Sequence, residues 1–166
     1  MKFNIHLPGI FKFDEALVEI ASCNGEGYDI DMLENTLVDQ VSIAVYSIEK
    51  SLQFYQKTLG LKLVTVEEVS SEKVKVAILM AGETRIELLE PLSKDSPISN
   101  FLEKRGEGVH HIALRTQNLH SVINQLRDKQ VKIIEPAPRK GSENSKIGFV
   151  HPHSTNGVLL ELVERP

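Results

Sequence analysis

Four side chains able to bind a metal or move a proton recur in register along the chain. Gln40 in VDQVSIAV and His111 in VHHIALRT lie 71 residues apart, and Glu87 in RIELLE and Glu161 in LLELVE lie 74 apart. Singly, each has an ordinary reading. A glutamate between leucines suits the solvent face of an amphipathic strand, and a strand His or Gln is usually just a hydrogen-bonded polar residue. Jointly they supply an imidazole, an amide oxygen and two carboxylates, a borderline-to-hard donor set suited to Zn²⁺, Co²⁺, Ni²⁺ or Mn²⁺. A pseudo-twofold duplication would bring the four together around one axis as a metal site. Strand side chains alternate faces, so Gln40 shares its face with Ser42 and Ala44, and His111 shares its face with Ala113. These small neighbours leave room above the sheet.

Other candidates are weaker. His110 neighbours His111 but should point to the opposite face of its strand, so the repeat selects His111. His151 and His153 flank a proline in HPHS and read as an exposed turn. His6 and His120 have no partner in the repeat and read as surface residues. Cys23 has no neighbouring signal for an activated thiolate.

The elements that position these residues follow from the duplication. VDQVSIAVYSIEKSLQFYQKTL (38–59) matches VHHIALRTQNLHSVINQLRDKQ (109–130), and KVAIL (75–79) matches KIGFV (146–150) at the same offset. Each copy opens with the period-2 pattern of a half-buried strand. A helix follows, with apolar residues at Ile48, Leu52 and Tyr55 or at Leu119, Ile123 and Leu126. Ser47 and Asn118 stand at the N-cap positions and Gly60 at the first helix's end. Three strands complete each copy, at about 61–68, 73–80 and 83–90, then 131–135, 145–151 and 157–164. The expectation is an α+β fold: tandem βαβββ modules forming a curved mixed sheet with a cleft. Module one covers 38–92 and module two 109–165, within a single domain over 38–165. A linker helix over 96–105 runs from a serine cap to a glycine stop. Residues 1–37 form an N-terminal extension, with helical spacing over 13–22 and a loop over 23–29.

Composition bounds the function. The chain has 166 residues, 41% hydrophobic and 25% charged, with a net charge of −4. That supports one conventional core and argues against disorder, while the acidic balance argues against a nucleic-acid binder. No apolar run approaches the roughly 18 residues of a membrane span. The first twenty residues lack an unbroken apolar stretch, so no secretory signal is expected. The single cysteine fits a reducing compartment, and the expected location is the cytoplasm.

The paired βαβββ units, with a candidate ligand at each repeated strand position, resemble the vicinal oxygen chelate (glyoxalase-like) superfamily. Within it, IELLEPLSKDSPISNFLEKRGEGVHHIAL (86–114) and FVHPHSTNGVLLELVE (149–164) resemble the methylmalonyl-CoA epimerase family, and the likeness covers about residues 37–165. The family pattern has histidine where this chain has Gln40, whereas Glu87, His111 and Glu161 match it. Some members carry a glutamate base early in the third strand, where Val76 stands here. The resemblance implies a metal-dependent isomerase acting on an acyl-CoA, with one divalent ion, most simply Co²⁺ or Zn²⁺, held by Gln40, Glu87, His111 and Glu161. It also implies a homodimer. Inverting a centre needs two bases on opposite faces of a planar intermediate. Glu161 is expected as one, doubling as a ligand, with Glu87 opposite it; Glu67 and Glu68 are further candidates. For the coenzyme A phosphates, Arg139 and Lys140 with Lys146 form one basic group, and Lys104 with Arg105 another. Two alternatives stay open. The Gln/Glu/His/Glu set is similar to that of some glyoxalase I enzymes, and a non-catalytic ligand-binding member would also keep the fold.

Overall fold

A computed structural model describes residues 36–166. The helix and loop expected over 13–22 and 23–29, with His6 and Cys23, lie outside the described residues. The βαβββ order occurs twice. Module one comprises β1 (Val38–Ala44), α1 (Ile48–Leu52), β2 (Lys62–Val69), β3 (Val74–Ala81) and β4 (Thr84–Pro91). The linker helix α2 (Pro97–Arg105) leads to module two: β5 (Gly108–Arg115), α3 (Leu119–Asp128), β6 (Ile133–Lys140), β7 (Lys146–Val150) and β8 (Leu160–Glu164).

The eight strands of the described residues join one mixed sheet in the order β2-β3-β4-β1-β5-β8-β7-β6. Within each module the first strand pairs parallel to the last, β1 with β4 and β5 with β8. The modules meet where β1 runs antiparallel to β5. That seam puts equivalent positions of the two copies next to one another, as the repeat requires.

The helix ends follow the residues expected to set them. Ser47 accepts a hydrogen bond from the Lys50 N–H, and Asn118 from the Ser121 N–H. Ser96 accepts from the Ile98 N–H, and Gly106 (φ 73°) ends α2. After Leu52 the first helix widens into a π-helical turn, Gln53–Thr58, before Gly60 (φ 74°) releases the chain. Strands β2 to β4 each lie one residue later than expected. In module two β6 runs on to Lys140, and β8 starts only at Leu160.

The alternation of strand side chains divides the interior. On β3, Val76 and Ile78 pack with Ala44, Leu89, Ile98 and Leu102 on one face, while Ala77 and Leu79 pack with Ile48 and Leu88 toward α1. In module two, Ala113, Ile147, Phe149 and Val163 form the cluster matching the first of these. Leu119 and Ile123 of α3 are fully buried.

The seam departs from regular pairing twice. Val38 pairs with Leu114 but Gln40 with Ala113, which leaves Asp39 as an extra residue on β1; Ser42 pairs with His111 but Ile43 with Val109, which leaves His110 as an extra residue on β5. Each is a β-bulge, and a bulge re-aims the side chains around it. Asp39 and His110 are themselves repeat equivalents, 71 residues apart.

Candidate functional site

The run IELLE carries two glutamates three residues apart, and so does LELVE. On a strand, an odd separation sends them to opposite faces. The outer pair turns toward the helices: Glu90 Oε2 accepts from the Ile48 N–H at 2.6 Å, and Glu164 Oε2 from the Leu119 N–H at 2.8 Å. Each satisfies an open backbone donor at the first turn of its own module's helix and places negative charge at the positive end of the dipole. The Lys146 ammonium and the Leu119 N–H hold Glu164 below the usual carboxylate range.

The inner pair turns the other way. Glu87 and Glu161 are only 3% and 4% exposed, and both line a cavity of about 360 Å³ whose wall also contains Gln40 and His111. All four residues singled out by the repeat therefore meet in one cavity of one chain. The remaining wall is largely apolar, including Val74, Val76, Leu89, Ile98, Ile147 and Phe149.

His111 Nε2 lies 3.1 Å from Glu161 Oε2 and 3.5 Å from Gln40 Nε2. Ser42 donates to Glu87 Oε2 at 3.2 Å, while Glu87 Oε1 is buried without a partner among the described residues. Burial, reinforced by the charge of Glu161, pushes the Glu87 carboxyl up to about 7. Two buried carboxylates, an imidazole and an orphaned carboxylate oxygen are what a cation would satisfy. His111 and Glu161 are in contact, but among the described residues no three His, Cys, Asp or Glu side chains close into a ready chelating cluster. The donors fit a divalent ion by chemistry, and Glu87 is the one with free capacity to complete it.

Strand alternation predicts His110 on the opposite face from His111, yet His110 also lines the cavity. The bulge at His110 breaks the alternation on which that expectation rested. Its Nδ1 lies 2.9 Å from His111 Nδ1 and its ring packs edge-on to Phe101. Burial, then the positive charge potential of His111, pushes His110 down to about 4, which makes it a neutral partner orienting the His111 ring.

Behind Gln40 lies a charge network that no local pattern in the sequence marks. Asp39, fully buried, pairs with Arg85, Arg115 and Arg165. Burial acts to raise its carboxyl, but bonds from Arg165 and Arg115 prevail and hold it below the usual value. Arg165 Nη2 also donates to Gln40 Oε1 at 3.0 Å. Its counterpart in module one at the 74-residue offset is Pro91, so no repeated signal marks it.

Among the expected cations, Arg139 reaches the cavity wall, where it pairs with Glu72 at 3.3 Å and lies over the Phe149 ring. Lys140, Lys104 and Arg105 are exposed, and Lys146 bonds Glu164. Glu67 and Glu68 do not line the cavity, whereas Val76 does. His120 and His153 are exposed, and His151 Nδ1 accepts from the His153 N–H.

The Glyoxalase/Bleomycin resistance protein/Dioxygenase superfamily profile matches residues 39–149. The Bacillus subtilis protein YqjC, itself uncharacterised, is 45% identical over 127 residues, 76% of this chain and 91% of that protein. The mitochondrial methylmalonyl-CoA epimerase of Dictyostelium discoideum is 36% identical over 131 residues, 77% of this chain and 78% of the relative. A solved structure of a methylmalonyl-CoA epimerase in complex with methylmalonyl-CoA and NH4+ superposes with a TM-score of 0.75 at 36% identity, covering 78% of this chain and 94% of that one.

Proposed function

The chain belongs to the Glyoxalase/Bleomycin resistance protein/Dioxygenase superfamily, and from that premise we propose that it is a metal-dependent epimerase interconverting the 2R and 2S forms of methylmalonyl-CoA. The observation that carries this reading is the meeting of Glu87 and Glu161, one from each module, at one apolar cavity. Epimerisation requires a proton to leave one face of C2 and return to the other. Two carboxylates from opposite halves of a pseudo-twofold fold suit that geometry.

Glu87, with its unpartnered Oε1, and Glu161, with Oε2 against His111, are the two groups that take and return the proton. His110 orients His111 through the Nδ1 contact. The apolar wall keeps bulk water from the acidic C2 position and strengthens each electrostatic interaction within. A cavity of about 360 Å³ takes an acyl group and leaves the coenzyme outside. Arg139, at the wall and across from Glu72, is the cation best placed to meet anionic groups there. Glu87, His111 and Glu161 would hold one divalent ion, Co²⁺ or Zn²⁺ before Ni²⁺ or Mn²⁺, which when bound supplies Lewis-acid stabilisation of the enolate. A cytoplasmic homodimer completes the reading.

Incubation of methylmalonyl-CoA with the protein and added Co²⁺ in deuterated water tests it. Deuterium entering C2 is the expected result. No exchange, together with lactoylglutathione formed from methylglyoxal and glutathione, would overturn it in favour of glyoxalase I chemistry. Neither activity under metal loading would leave a ligand-binding protein.

A further inference from the structure

The chemistry that Gln40 shows the cavity is decided by Arg165, a neighbour outside the set. A guanidinium has only donors, so the Gln40 atom facing Arg165 must be the carbonyl oxygen. The planar amide then turns its NH2 into the cavity, and that nitrogen is the atom 3.5 Å from His111 Nε2. Rotating the amide by half a turn would set NH2 against the guanidinium, donor against donor.

Arg165 is not free to yield. Its Nε and Nη2 both bond Asp39 Oδ2, the former at 3.1 Å, and its Nη1 bonds Glu143 Oε2 at 3.1 Å. Asp39 is fully buried, so releasing Arg165 would weaken the pairing of a buried charge. An amide NH2 has no lone pair to give a cation.

We infer that Arg165 makes Gln40 a hydrogen-bond donor beside the metal position rather than a metal ligand, leaving Glu87, His111 and Glu161 as the protein's ligands. The NH2 then faces an anionic oxygen of the bound acyl compound, either a carboxylate or the oxygen that gains charge as the proton leaves. Arg165 is the positioning residue, acting through Gln40. The inference rests on the metal-site part of the proposed function and not on the identity of the substrate.

Calorimetric titration of chelator-stripped protein with Co²⁺ separates the roles without using turnover. Gln40→Ala should leave Co²⁺ affinity within about twofold, while His111→Ala should weaken it by about 100-fold or more. Arg165→Met frees the amide to turn its oxygen inward and should tighten Co²⁺ by about tenfold, a gain that disappears in the Gln40→Ala/Arg165→Met double variant. In the exchange assay, Gln40→Ala should lower kcat/KM with metal affinity intact. A tenfold or greater loss of Co²⁺ affinity in Gln40→Ala, or no change in a folded Arg165→Met, overturns the inference, as does a wild type that binds no Co²⁺. If Arg165→Met does not fold, Gln40→Ala alone decides. A wild type that shows this metal pattern yet exchanges no deuterium refutes the epimerase reading and leaves the inference standing.

Discussion

The buried Glu87 carboxyl makes a quantitative prediction about the metal-free protein. Its proton is held up to about 7 against an ordinary 4.5, because burial and Glu161 disfavour its charge. Between those values the native state binds more protons than the unfolded chain, so stability must fall as pH rises from 4.5 to about 7. At 1.36 kcal/mol per pH unit, the loss is about 3 kcal/mol and is complete above the folded value. Glu87→Gln removes the ionisation and keeps an oxygen to accept from Ser42. The chelator-treated variant should match wild type near pH 5 and exceed it by about 3 kcal/mol near pH 8, roughly 6–12 °C in Tm for a chain of this size. Urea unfolding at the two pH values reads this directly. Adding Co²⁺ should narrow or reverse the gap, because the wild-type carboxylate binds a cation more tightly than the variant's amide oxygen and so gains more stability by mass action. Equal urea midpoints at the higher pH, or a gain that does not depend on pH, would refute the view that Glu87 is an electrostatic cost carried for the site.

Asp39→Asn leaves three arginines around a neutral amide and should cost about 3–5 kcal/mol at neutral pH in urea unfolding. The native carboxyl is held below 3.8, so its contribution is complete above that value and the variant's deficit should shrink as pH falls below it. Glu90→Gln and Glu164→Gln each weaken a helix N-terminus and should cost about 1 kcal/mol apiece, with the two effects additive in the double variant because they lie in separate modules. Arg139→Ala should raise KM for the acyl-CoA by about tenfold with little change in kcat, as measured by initial rates, if the residue serves binding rather than chemistry.

The repeat made most of this architecture readable. Equivalent apolar periods fixed the βαβββ order, and Ser47, Asn118 and Ser96 marked helix starts because a cap is a local, chemically specific signal. The four inward residues were legible for the same reason, since each has a counterpart in the other copy. What escaped reading is what local pattern cannot carry. Whether Glu90 and Glu164 cap a helix depends on the helix packing across the strand end. Arg165 acts on Asp39 and Gln40 from more than a hundred positions away and has only Pro91 as its repeat counterpart. His110 was assigned to the wrong face because a bulge depends on the pairing of two strands, and neither strand's pattern announces it.

Those bulges give the fold a pair of adjustable sockets. Each adds one side chain at the seam and re-aims those beside it, while the strands on either side of the bulge stay paired. The chain has filled the two sockets with opposite chemistries. The aspartate in one anchors Arg165, which steers Gln40, and the imidazole in the other steadies His111. A duplicated scaffold that would otherwise offer two like walls thereby presents its substrate with one wall tuned through guanidinium and another through imidazole. Such a difference lets a nearly symmetric cleft grip a ligand in a single orientation.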